Sequence, residues 1–190
     1  MSANPYLTPA ECAVLEKVRI GVAGAGGLGS NCAMHLVRSG IRHLVVADFD
    51  VVGESNLNRQ FFFRDQLGMK KVDALKANLL RIDPEADVQA VDVRLDAAST
   101  RELFENCDIV VEAFDAVEAK TMILSTLMPL GKEARDRRLA GLDFRSLVHN
   151  LHFCPSYAGI IPIRSTGLIS AVHARTWKHP DRWAILYHIT

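Results

Sequence analysis

The residues in this 190-residue chain best suited to chemistry are a glycine-rich hexapeptide, two acids that end apolar runs, and a polar segment carrying one arginine. The hexapeptide is Gly24-Ala25-Gly26-Gly27-Leu28-Gly29, preceded by the β-branched run VRIGVA and followed by a helical pattern. Without Cβ atoms, Gly24, Gly26, Gly27 and Gly29 let the backbone approach a phosphate, and the following helix N-terminus attracts its charge. A second apolar run ends at Asp48, where an acid can hold a ribose hydroxyl of NAD or of ATP. The glycine loop alone does not separate these nucleotides, and glycines at such a turn also serve plain strand-to-helix packing. The bland alternatives elsewhere are that Asp48 and Asp115 cap helices, that Lys71 lies on a solvated helix face, and that Arg59 makes a surface ion pair with Asp50 or Glu54.

These residues need elements to position them. PYLTPAECAVLEKV carries helix-starting residues, Thr8, Pro9 and Glu11, ahead of Val14, Leu15 and Val18. VRIGVAGAG predicts a buried strand and tight turn, and LGSNCAMHLVRSG a helix closed by Gly40. IRHLVVADFD is a second strand. QLGMKKVDALKANLLRIDP places Leu75, Leu79, Leu80 and Ile82 on a helix face stopped by Pro84. DVQAVDVRL, STRELFENC, DIVVEAFD and AKTMILSTLMPLGK continue the alternation as strand, helix, strand and helix. The order predicts an α/β fold with a doubly wound, Rossmann-like, mostly parallel sheet and helices on both faces.

Composition sets the outer bounds. With 49% hydrophobic residues the chain can bury a real core, and 22 basic against 22 acidic residues give no global attraction to nucleic acid or an anionic membrane. Neither is expected as a partner. The first residues lack a cationic leader and no apolar run is long enough to span a bilayer, so a cytoplasmic location is expected. Cys12, Cys32, Cys107 and Cys154 are dispersed, with Cys32 and Cys107 read as core residues. His149, His152, His173, His179 and His188 lack metal-site spacing. No structural zinc is expected.

The segment after Asp48 makes the pattern specific. GAGGLGS, DFDVV, SNLNRQ, GMKKVDAL and EAFDAVEAK occur in the order and approximate spacing of the ThiF/MoeB/ubiquitin-activating adenylyltransferase family, which this chain resembles over residues 18 to about 130. It looks most like the short ThiF-type enzymes that adenylate a sulfur-carrier protein in thiamine biosynthesis. The resemblance implies a nucleotidyltransferase using ATP and Mg²⁺ to activate the C-terminal carboxylate of a small ubiquitin-like carrier ending in Gly-Gly. It implies that Gly24, Gly26, Gly27 and Gly29 form the nucleotide loop, that Asp48 holds the ribose, and that Ser55, Asn56, Asn58 and Arg59 contact the nucleotide. Arg59 and Lys71 would face phosphate oxygens, while Asp115 would bind Mg²⁺ and the phosphates. With Arg59 and Lys71, Asp115 makes up the expected catalytic set. A homodimer is implied as well.

The family's short members, like this chain, lack paired Cys-x-x-Cys ligands. Many family dimers lend an N-terminal arginine to the partner's ATP, but no arginine precedes Arg19 here. Cys154 is the cysteine located where thioester- or persulfide-forming members carry theirs, in a context, HFCPSY, that matches no motif. Residues 1–132 are thus expected to form the ATP-binding adenylation domain. Residues 133–190 form an atypical segment, truncated or divergent, read as short strands and loops closing one sheet edge. Two rival readings remain open: a non-catalytic nucleotide-binding or scaffold protein on the same fold, and an NAD-dependent oxidoreductase resting only on the glycine loop and Asp48.

Overall fold

A computed structural model describes residues 8–133 and 159–162. A short helix, α1 (Pro9–Leu15), leads into β1 (Arg19–Ala23), α2 (Gly27–Arg38) and β2 (His43–Asp48). After two single 3-10 turns come α3 (Lys71–Ile82), β3 (Asp87–Asp92), α4 (Ala97–Phe104), β4 (Ile109–Glu112), α5 (Val117–Glu133) and β5 (Gly159–Pro162). The sheet order is β3-β2-β1-β4-β5. β1 to β4 are mutually parallel, and β5 runs antiparallel to β4. The alternation expected from the sequence is thus present.

Strand side chains alternate between two cores. Ile20, Val22, Leu44 and Val46 face Leu36 of α2 and Leu75 and Leu79 of α3. Ala23, Val45 and Val110 share the other core with Phe104 of α4 and Ile123 and Leu127 of α5. Cys32 and Cys107 are buried, one in each core. Fully burying a side chain such as Leu75 contributes about 2 kcal/mol, so each face is held mainly by its apolar stripe.

Gly40 closes α2 as expected: its φ is +101°, its N–H donates to the Val37 carbonyl at 3.0 Å, and the Ile41 N–H donates to Leu36 at 3.1 Å. The helix predicted to begin near Gln66 begins instead at Lys71. Arg64–Gln66 form a 3-10 turn, Gly68 turns the chain at φ +82°, and Lys70 pairs with Val51 in an isolated antiparallel bridge. A left-handed residue and a bridge are incompatible with helix. The third strand ends at Asp92 rather than Leu95, and residues 93–96 separate it from α4.

Asp96 caps α4, accepting the Ser99 N–H at 2.8 Å while its own N–H donates to the Ser99 hydroxyl at 2.9 Å. The Ser99 backbone N–H, and after it the Ser99 hydroxyl, hold the Asp96 carboxyl below the usual carboxylate range. A depressed folded-state pKa gives stability that is present above the unfolded-state value and lost as pH falls through the folded one. Asp96→Ala is therefore expected to lower the urea midpoint at neutral pH, with the gap from wild type closing on acidification below the ordinary carboxylate range.

Among the described residues, no helix is long and apolar enough to cross a membrane. The boundary expected at residue 132 falls at the end of α5. Within the segment expected at 133–190, the described part beyond α5 is β5, an edge strand; Cys154 and the five histidines lie outside the described residues.

Candidate nucleotide site

The chain moves outward from β1 to β2 and β3, then returns to the other side of β1 with β4. The reversal leaves a crevice beyond the carboxyl ends of β1 and β4, the place where open α/β sheets bind ligands. The residues expected to hold the nucleotide, from Gly24 to Asp115, lie in segments that leave this end of the sheet or dock against it.

Gly24 follows β1 at φ +100°, and its N–H donates to the Ala47 carbonyl at 2.8 Å. A Cβ on Gly24 would sit 2.9 Å from the Ala113 carbonyl oxygen, and one on Gly29 would collide with the Gly24 carbonyl oxygen. These two glycines permit close approach of backbone to backbone. Gly26 differs: beyond its chain neighbours, no atom of the described residues lies within 4 Å of where its Cβ would be, so the loop is open there. Close packing thus accounts for Gly24 and Gly29, while the loop is open at Gly26, one of the glycines expected to cradle a phosphate.

Asp48 ties the loop to the second strand. One carboxylate oxygen accepts the Ala25 N–H at 2.6 Å and the other accepts the Asp50 N–H at 2.8 Å. This is loop bracing rather than the helix capping offered as the alternative.

The SNLNRQ segment folds back over the glycine loop. Asn31 of α2 donates to the carbonyls of Gly27, at 2.6 Å, and Arg59, at 2.8 Å, and the Phe61 N–H donates to the Ser30 hydroxyl at 3.0 Å. The stem of Arg59 consequently lies 3.4 Å from the Cβ position of Gly27. Its guanidinium donates to the Ser55 carbonyl and to the Asn58 side-chain oxygen, each at 3.0 Å. It pairs with neither Asp50 nor Glu54, since Asp50 is taken by Lys71 and Glu54 by Arg64. Asn56 accepts the Gly53 N–H at 2.9 Å, fixing the turn on which this segment is built.

Lys71 is buried, not spread on a solvated helix face. Its ammonium lies 2.8 Å from the Asp50 carboxylate, and its N–H donates to the Asp50 carbonyl at 2.9 Å. Adjacent Lys70 is half exposed and pairs with Asp92 at 3.0 Å. Asp48, Asp50 and Lys71 thereby form one chain of contacts running from the glycine loop to α3. Beside it, Phe49 stays exposed with the Arg94 guanidinium 3.9 Å from its ring centre.

Asp115 is exposed in the loop after β4 and makes no hydrogen bond or ion pair with Arg59, Lys71 or any other described residue. Its loop nonetheless abuts the glycine loop through Ala113 and Gly24, and the Ala113 N–H donates to the Ala23 carbonyl at 2.9 Å. A lone free carboxylate suits Mg²⁺, which keeps most of its waters and takes one or two carboxylates alongside substrate phosphates. The open cradle at Gly26 and the cations of Arg59 and Lys71 likewise fit a polyphosphate.

Three contributors escaped the sequence reading. Asp50 was weighed only as a partner for Arg59, although its place two residues after Asp48 hinted at a shared role. Glu112 and Lys120 bound the EAFDAVEAK motif but were given no role, because they sit on different elements, the end of β4 and the first turn of α5, and the sequence does not show that they meet.

Known proteins resemble this chain. The chain is 32% identical over 151 residues to the adenylyltransferase and sulfurtransferase UBA4 of Eremothecium gossypii, covering 78% of this chain and 34% of that protein. It is 33% identical over 110 residues to a molybdopterin-synthase adenylyltransferase of Haemophilus influenzae, covering 57% of this chain and 45% of that one. Among solved structures, the tRNA N6-threonylcarbamoyladenosine dehydratase TcdA of E. coli in complex with ATP aligns with a TM-score of 0.62 at 28% identity. That alignment covers 64% of this chain and 51% of TcdA. The chain thus spans less than half the length of these two curated relatives. The ThiF family model matches residues 3–143, most of the sequence, and the chain belongs to the ThiF family.

Proposed function

We propose that this protein is an ATP-dependent adenylyltransferase whose unit of residues 1–132 activates the C-terminal carboxylate of a small ubiquitin-like sulfur carrier. The observation that carries the reading is the seating of the SNLNRQ segment on the glycine loop, with the Arg59 stem against Gly27. A triphosphate carries more negative charge than the pyrophosphate of NAD, so a cation added to the loop amides and the helix N-terminus favours ATP. The adenylyltransferase relatives and the ATP complex of TcdA support the same reading.

In this reading the amides of Gly26 and Gly27 and the α2 N-terminus orient the nucleotide, and Asp48 takes the ribose. Ser55, Asn56 and Asn58 shape the segment that carries Arg59. Arg59 and Lys71 offset charge on the phosphates, Asp50 giving up part of its hold on Lys71. Asp115 would hold Mg²⁺, which supplies charge neutralisation to the leaving phosphates. An oxygen of the carrier carboxylate attacks the α-phosphorus, the bond from that phosphorus to the bridging oxygen breaks, and pyrophosphate departs, leaving an acyl adenylate. The protein forms no covalent bond in this step; it contributes position and electrostatics.

The thiamine-type carrier is the finer form of the proposal, and a homodimer its expected assembly. The test is ATP–pyrophosphate exchange with a panel of Gly-Gly carriers of the thiamine and molybdopterin types, alongside thermal shifts with ATP and NAD. Carrier-dependent exchange and stabilisation by ATP alone are expected. ATP binding without exchange for any carrier would assign the chain to the non-catalytic scaffold reading instead. Stabilisation by NAD alone would reject both.

A further inference from the structure

Glu112 is the last residue of β4 and is only 4% exposed, between Ala23 of β1 and Gly159 of β5. One carboxylate oxygen accepts the Phe114 N–H at 2.6 Å, and both lie 3.0 Å from the Lys120 ammonium. Lys120 is one turn into α5. A single carboxylate therefore joins the strand end, the loop 113–116 and the helix start, and Asp115 sits between the joined points. The loop's other side is set by the glycine turn, through the Ala113 carbonyl against Gly24.

Burying the Glu112 carboxylate, with Lys120 partly buried beside it, carries a desolvation penalty that an apolar pair of similar shape would avoid. Hydrophobic packing alone therefore gives no reason for the pair at this strand end. What it does accomplish is directional: it fixes the Phe114 amide, and with it the backbone next to Asp115, relative to two elements at once.

We propose that Glu112 and Lys120 are positioning residues that hold Asp115 towards the phosphate end of the glycine loop. The proposal rests on the ATP reading above. Neither residue touches the nucleotide; they act through the loop between them. AMP, lacking the β- and γ-phosphates, makes little demand on Asp115, so the pair should matter for MgATP and not for AMP.

The experiment compares the full chain with Lys120→Met, Lys120→Arg and Glu112→Gln. It measures calorimetric affinity for MgATP and AMP, and hydrogen exchange of residues 113–116 without ligand. Lys120→Met is expected to weaken MgATP by about tenfold or more, leave AMP unchanged and speed exchange in the loop. Lys120→Arg, whose fork can reach both carboxylate oxygens, is expected to keep both near wild type. Should Lys120→Met not fold, Glu112→Gln carries the test with the same expected outcomes. Wild-type MgATP affinity in a variant with a lowered unfolding temperature would reduce the pair to a structural role and overturn the proposal, as would equal loss of MgATP and AMP binding. A wild-type chain that binds neither nucleotide sinks the ATP reading itself; loop exchange unchanged by Lys120→Met would then overturn the positioning claim separately, and faster exchange would uphold it.

Discussion

Asp115→Ala is expected to lower ATP–pyrophosphate exchange by about two to three orders of magnitude while leaving the unfolding curve unchanged. The two halves of this expectation have separate causes. Asp115 is exposed and makes no hydrogen bond or ion pair with any described residue, so its removal should change stability by no more than about 0.5 kcal/mol. As the free carboxylate beside the glycine loop, it is also the group suited to magnesium on the triphosphate. Exchange measured under saturating carrier, with a thermal melt of the same sample, separates them. Wild-type exchange in the variant rejects the metal assignment; a large fall in unfolding temperature rejects the claim that Asp115 is structurally idle.

The second large effect is on stability and divides the glycine loop. In Gly29→Ala the new methyl group would collide with the Gly24 carbonyl oxygen, a backbone atom that cannot rotate away. Moving Gly24 strains its 2.8 Å hydrogen bond to Ala47 and lifts α2 from β1. The expected cost is about 3 kcal/mol, a drop of about 6–12 °C in unfolding temperature for a chain of this size. Gly26→Ala is the control: its Cβ would meet nothing within 4 Å and its φ of −77° is ordinary. Stability should fall by no more than about 1 kcal/mol, yet ATP should bind about tenfold more weakly, roughly 1.4 kcal/mol, because the methyl group enters the cradle. Differential scanning calorimetry with and without ATP reads both. Equal instability in the two variants would mean that the whole loop is packed against the protein and none of it is open to a phosphate.

Most of the architecture was legible because its signals are local. Apolar runs ending in glycine or an acid marked β1 and β2, and helical spacing with Gly40 and Pro84 marked the ends of α2 and α3. Where the reading slipped, at residues 66–70, the cause was non-local: Lys70 pairs with Val51, and no periodicity within the segment reveals a bridge to a residue nearly twenty positions earlier. The edge strand β5 was foreseen only as a kind of element, not at 159–162, since an edge strand takes its place from the neighbour it pairs with.

The candidate site divides along the same line as the glycine loop that opens it. The sequence by itself determined that a strand, a tight glycine turn and a helix follow one another from Val18 to Arg38, because glycine sterics and hydrophobic period act over a few residues. It also placed Asp48 and Asp115 at strand ends and singled out Arg59 and Lys71 in the motifs between them. Only the tertiary structure decided which charges meet. Lys70 and Lys71 are chemically identical neighbours, yet one is half exposed on Asp92 and the other is buried against Asp50. Glu112 and Lys120 clasp each other across a loop, while Asp115 inside it pairs with none of the described residues. Ion pairing depends on distances of a few ångströms between separate elements, and those distances follow from the strand order and helix packing, not from spacing along the chain.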